Sequence, residues 1–99
     1  MRYGFDIDGT ICTLEKDYSN ARPFFKRIAK INQLFDEGNH IILFTARGTL
    51  TKKDWREITR MQLVFWQVKY HQLIFGKPAV DVMVDDIAIN DKDFFKEVK

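Results

Sequence analysis

YGFDIDGTI, residues 3–11, sets two aspartates, Asp6 and Asp8, one residue apart at the end of an apolar run and follows them with Gly9 and Thr10. Tyr3, Phe5 and Ile7 read as a short buried strand, and burying carboxylates is costly unless a cation compensates them. The pair is therefore either a structural accident or a site, and the rest of the chain has to decide between the two.

Ninety-nine residues make one domain, spanning 1–99, with little room beyond a single core. Nine Phe and two Trp suit a small core, and the ordinary apolar share argues against disorder. Sixteen Lys and Arg against fourteen Asp and Glu leave a net charge of +2, too small and too dispersed to argue for a nucleic-acid binder, so charge alone names no partner. The single cysteine, Cys12, has no partner for an intramolecular disulfide and no Cys-His constellation around it, so it reads as a small residue beside the first loop. No signal peptide, transit sequence or long apolar run is present, which predicts a cytoplasmic protein without a membrane anchor.

Outward from the first strand the chain alternates between two periods. Pro23 opens a segment in which Phe24, Ile28, Ile31 and Phe35 recur at helical spacing, Phe25 and Leu34 widen the stripe, and Gly38 supplies a left-handed cap. HIILFT, residues 40–45, is too continuously apolar for a half-exposed strand and predicts a parallel strand buried on both faces. Thr51-Lys52-Lys53-Asp54 resembles a capping box, followed by Trp55, Ile58, Met61, Phe65 and Val68 at helical intervals. YHQLIF, residues 70–75, predicts a third strand and VDVMV, residues 80–84, a fourth. Asn90 then caps a last helix carrying Phe94, Phe95 and Val98. Alternating strands and helices predict a parallel α/β sheet.

Each predicted strand runs directly into a chemically potent residue: Asp6 and Asp8, then Thr45, then Lys77, then Asp85 and Asp86. In parallel α/β sheets the carboxyl ends of the strands share one edge, where ligands bind. Taken singly, Asp85 and Asp86 read as an exposed turn, Asn90 as a helix cap and Thr45 as an ordinary strand residue. Four such clusters converging on one edge favour a site.

DIDGT, LFTAR, GKP and VDDIAIN, in this order and across nearly the whole chain, resemble the four signatures of the haloacid dehalogenase (HAD) superfamily of phosphotransferases. The resemblance implies that Asp6 is a nucleophile carrying an aspartyl-phosphate, and that Asp8 protonates the leaving alkoxide and later activates water. It implies a Mg²⁺ ion held by the carboxylate of Asp6, the backbone carbonyl of Asp8 and the carboxylate of Asp86. Thr45 and the amides after Asp6, with Ile7, Gly9, Thr10, Ala46 and Arg47, would bind the phosphoryl group or substrate, and Lys77 would bridge that group and the nucleophile. Asp85 stays open between a partner of Lys77 and a structural acid, and Asn90 between a cap and the holder of a metal-bound water. His40 and His71, at strand starts on the far edge, read as structural. Lys52, Lys53, Arg56 and Arg60 read as a solvated helix face that with Arg47 could guide an anion.

Two features depart from many relatives. The chain has no room for a cap domain, leaving residues 12–22 and the loop from Gly48 as lid candidates, and only residues 76–79 separate the third and fourth strands. At about 3.3 Å per residue that link spans ~13 Å, enough to run back along a short strand, so the expected fold is a three-layer Rossmann-like core of strand order 4-1-2-3 with helices on both faces. The spacing looks most like small capless phosphatases of bacterial capsule and surface-polysaccharide synthesis, which points to a Mg²⁺-dependent phosphomonoesterase acting on a small phosphorylated metabolite such as a sugar phosphate. A polynucleotide phosphatase would favour a stronger basic groove and stacking aromatics. A receiver-like phosphoacceptor module shares the acidic cluster but lacks the acid two residues after the nucleophile. The missing cap predicts a homo-oligomer, dimer or tetramer, with an interface near the site rim, which the segment around Tyr18 and the stretch from Gly48 to Trp55 can reach over and where Trp55 and Trp66 add apolar surface.

Overall fold

The structure, a computed structural model, describes residues 1–50 and 53–96. Thr51, Lys52 and Val98, named above for the capping box and the last helix, lie outside the described residues. Three parallel strands, β1 (Arg2–Asp6), β2 (His40–Thr45) and β3 (Gln72–Phe75), form one sheet in the order β1-β2-β3. Phe5 registers with Leu43, and Leu43 with Leu73, so alternation carries Tyr3, Phe5, Ile41, Leu43 and Leu73 to one face. That face is the core. Ile7, Ile11, Ile31, Ile41 and Leu43 have no exposed surface.

Helix α1 (Phe25–Asp36) contributes Ile28, Ile31 and Leu34, the expected stripe narrowed by one member, since Phe25 is two-thirds exposed. It ends where Gly38, at φ 94°, turns left-handed and the amide of Asn39 closes onto Leu34 O at 3.1 Å. Helix α2 (Arg56–Phe65) buries Thr59 and Leu63, with Trp55 packed just ahead of it. This corrects the expected stripe. Met61 and Phe65 face outward, and the helix is rotated so that Thr59 and Gln62 meet a buried arginine. Trp55 is likewise core rather than rim surface. The short helix α3 (Asp91–Phe94) is capped by Asn90, whose Oδ1 accepts from Lys92 N, and it brings Phe94 and Phe95 against Tyr3 and Phe5 at ring separations of 5.5–6.1 Å. Arg27 of α1 fixes it by an ion pair to Asp91 at 2.7 Å.

The three-layer expectation with order 4-1-2-3 is corrected: the sheet has three strands, and residues 80–84 run exposed and outside it. Chain geometry explains this. A fourth strand beside β1 would lie three strand spacings from β3, about 14 Å, and a parallel partner would have to start a further ~17 Å back. Residues 76–79 span at most about 14 Å, so the link cannot make both journeys. The same fact explains the missing layer. Right-handed crossovers that all advance in one direction put their helices on one face, and without a strand on the other side of β1 nothing reverses. The second face, with Gly4, Ile42, Phe44 and Ile74, carries no helix among the described residues, so β2 is covered on one side only.

Ile31→Ala, which empties a fully buried position, is expected to cost about 3 kcal/mol in urea unfolding. Phe25→Ala, on the exposed side of the same helix, should stay within about 0.5 kcal/mol of wild type.

Candidate active site

Asp6 closes β1 at the carboxyl edge, registered with Phe44 on the open face of the sheet. Lys77 lies just past β3, its amide held by Thr45 O at 3.0 Å and its carbonyl accepting from Thr49 Oγ1 at 3.0 Å. Anchored at both backbone groups, it sets Nζ 3.3 Å from Asp6 Oδ1 and 5.2 Å over the Phe44 ring. Burial pushes the Asp6 carboxyl above its ordinary range, and the Lys77 charge acts against that shift without cancelling it.

Asp8 sits one turn further on, in a loop whose shape follows from Gly9. At φ 84° this position favours glycine, and a Cβ there would press on Leu14 at 3.3 Å. The loop closes by Gly9 N to Cys12 O at 2.9 Å, Thr10 N to Ile7 O at 3.1 Å and Ile11 N to Ile7 O at 2.9 Å, while Ile7 N bonds Phe44 O at 3.2 Å. The amides of Ile7, Gly9 and Thr10, expected to grip a phosphoryl group, are thus engaged within the chain. Thr10 lends its carbonyl to Arg27 Nη1.

Arg47 is the dominant partner. Its side chain is fully buried, and Nε and Nη2 donate to Asp8 Oδ2 and Oδ1, each at 2.9 Å. Nη1 donates to Thr59 Oγ1 at 3.0 Å and Gln62 Oε1 at 2.6 Å, and the guanidinium lies 4.8 Å from the Tyr18 ring. Gln62 Nε2 in turn donates to Tyr18 O at 2.7 Å, docking the 3-10 turn Tyr18–Asn20 on α2. Arg47, expected to meet substrate, instead orients Asp8. Thr59 and Gln62 were not singled out from sequence, and Tyr18, expected near the site rim, packs its ring on Arg47. The available signal was a pair of polar residues three apart inside an apolar helical stripe.

Thr45 is wholly buried on the core face, its Oγ1 accepting from Arg47 N at 3.0 Å, so it shapes the turn around Ala46 and Gly48. Cys12 is buried beside Asp8 and Arg47, and burial foremost, with the Asp8 charge, pushes its thiol up to about 12. Asp85 and Asp86 are exposed, and Asp85 accepts from Ile87 N at 3.0 Å instead of meeting Lys77. Among the described residues no three His, Cys, Asp or Glu side chains gather as a metal site. Asp8 is among the charges that act on the Asp6 carboxyl, and the exposed Asp86 is not. The basic face is also reduced, since Arg56 pairs with Asp54, holding that carboxyl down to about 2, and Lys53 lies over Trp55. These two and Asp54 line an open depression of about 280 Å³ with Gly48, Thr49 and Gly76, on the β3 side of Lys77. At the far edge His71 Nδ1 accepts from Ile41 N and its ring stacks on His40 and Phe35, a structural role.

The sequence matches no protein-family model and no curated protein. Among solved structures, an MCSG target protein from Vibrio cholerae superposes with a TM-score of 0.86 at 25% identity, over 98% of this chain and 92% of that one. A chain of the Pnkp1/Rnl/Hen1 complex superposes with a TM-score of 0.62 at 22% identity, over 97% of this chain and 34% of that one. The second likeness is one of fold alone. No described helix is long and apolar enough to cross a membrane.

Arg47→Met should cost about 3 kcal/mol in urea unfolding at neutral pH, because removing one partner leaves a buried, unpaired carboxylate behind. Asp6→Asn should have the opposite sign. A carboxyl whose pKa is raised by folding costs stability above that pKa and none below it, so the variant should melt higher than wild type at pH 7, and the gap in calorimetric melting temperature should narrow as pH falls through the raised value.

Proposed function

We propose that the chain is a phosphomonoesterase of the HAD type, working through an aspartyl-phosphate on Asp6. The observation that carries this reading is the pairing at one sheet edge of a half-buried Asp6, 3.3 Å from Lys77 Nζ, with an Asp8 oriented by a buried guanidinium. Two carboxylates two residues apart, held by separate cations, divide into distinct roles.

Asp6 attacks phosphorus. One carboxylate oxygen forms the new P–O bond as the bond to the substrate alkoxide breaks, and Asp8 delivers a proton to that alkoxide. Asp8 then takes a proton from water, whose oxygen attacks phosphorus and releases Asp6 and inorganic phosphate. Lys77 neutralises charge on Asp6 and the incoming phosphoryl oxygens. With both oxygens of Asp8 occupied by Arg47, the acid role requires that carboxyl to turn from the guanidinium towards the leaving group. Arg47 is then a positioning residue that holds Asp8 at rest.

Mg²⁺ belongs to this reading, where it would offset the charges of carboxylate and phosphate. Asp6 would offer it a carboxylate and Asp8 a backbone carbonyl, while Asp86 lies on the exposed stretch that follows residue 84. The substrate in this reading is a small phosphorylated metabolite, with a sugar phosphate the class suggested by the motif spacing. A receiver-like module would have no use for an oriented acid at position 8.

The test is hydrolysis of an aryl phosphate. Wild type should turn it over with Mg²⁺ and stop in excess chelator, Asp6→Asn should lose roughly a thousandfold or more in kcat, and Asp8→Asn should accumulate acid-stable phosphoprotein with this good leaving group. Unchanged turnover in chelator, or in Asp6→Asn, would remove the proposal.

A further inference from the structure

Residues 80–84 have the make-up of a strand without a partner. Val80, Val82 and Val84 alternate with Asp81, Met83 and Asp85, β-branched residues at every second position, and the whole stretch is exposed, Val84 to 91%. It is held at both ends. Lys77 N ties one end to Thr45 O, and the Arg27–Asp91 pair ties the other beside the first loop, so the arm lies near the carboxyl edge of the sheet. Its own sheet is out of reach in a parallel register because of the short link. The sheet meanwhile has a complementary vacancy, since β1 pairs with β2 only and its other edge carries no ladder among the described residues.

We propose that residues 80–84 of one copy add as a parallel strand to the free β1 edge of a second copy, and reciprocally, so that the arm completes the partner's sheet. A second copy is not bound by the four-residue link that defeats pairing within one chain, and a two-fold exchange satisfies both vacancies at once. The five residues match the five of β1. With Val80 opposite Arg2 and Val84 opposite Asp6, Asp86 of the exchanged arm arrives level with Asp8, where its carboxylate would join the pair. In this register Val80, Val82 and Val84 extend the face of Gly4, Ile42 and Phe44, and the pairing seals an edge that otherwise invites open-ended association.

The assembly is tested by light scattering on wild type and on the double variant Val82→Pro/Met83→Pro. Consecutive prolines remove adjacent amides, one of which must face the ladder, and the segment makes no strand contacts within its own chain, so far-UV circular dichroism should keep the helices and the three-stranded sheet and lose only the exchanged strand's share. Wild type should be a dimer at micromolar concentration and the variant a monomer. A monomeric wild type, or a folded variant that stays dimeric, overturns the exchange. The delivery of Asp86 rests on the phosphatase reading and has its own measurement. Asp6→Asn and Asp86→Asn, each inactive alone, are unfolded together in equal amounts and refolded. Half the dimers are then mixed and one site in each mixed dimer is complete, so about a quarter of wild-type aryl phosphate hydrolysis should return. No recovery beside an active wild type overturns delivery in trans. A dimeric wild type with no hydrolase activity removes the phosphatase reading and leaves the strand exchange supported by the scattering result.

Discussion

The buried guanidinium of Arg47 is the constraint on which the carboxyl edge depends. A fully desolvated cation must be paired and hydrogen-bonded nearly to saturation, and this one draws its partners from three places: Asp8 after β1, Thr59 and Gln62 on α2, and the Tyr18 ring in the first connection. Each partner belongs to a separate segment. Satisfying one side chain therefore fixes the roll of α2, the path of residues 12–22 and the aim of Asp8 together. The rotation of α2 that exposes Met61 and Phe65 is the visible cost, accepted because an unsatisfied guanidinium would be more expensive than two apolar side chains left in water.

The other organising fact is that the sheet grows in one direction. Both crossovers advance from β1 through β2 to β3, so both helices fall on the face of Phe5 and Leu43, and α3 joins them through Phe94 and Phe95. The nucleophile candidate and Lys77 thus stand at the rim of the uncovered side, with the Phe44 ring beneath the ammonium. Asp6 is half-buried by its own strand end and Lys77, and that burial is what raises its pKa.

Much of this was legible in the sequence, and the misses have physical causes. Tyr3 and Phe5, HIILFT and YHQLIF gave strands because their periods are short and local, the last trimmed to Gln72–Phe75, and Asp6, Asp8 and Lys77 followed as residues at strand ends. The stripe of α1 survived with Phe25 removed. What failed depended on distance in three dimensions. VDVMV has the composition of a strand, and only the lateral step across two intervening strands reveals that a parallel place beside β1 lies beyond its tether. Arg47 looked like a substrate ligand because sequence shows its charge but not its depth, and Thr45 looked like a phosphate grip because nothing local says that it faces the core.

Cys12 gives the molecule a built-in witness to these arrangements. Its sulfur lies in the same pocket as the Asp8–Arg47 pair, without solvent contact, and its proton is held so firmly that almost no thiolate exists at neutral pH. Oxidants and alkylating agents meet an inert group while the first loop is closed. They meet an ordinary thiol only when that loop opens, so the rate at which this lone sulfur is modified measures how often the carboxyl edge comes apart. The chain thereby couples its redox vulnerability to the breathing of its own candidate active site.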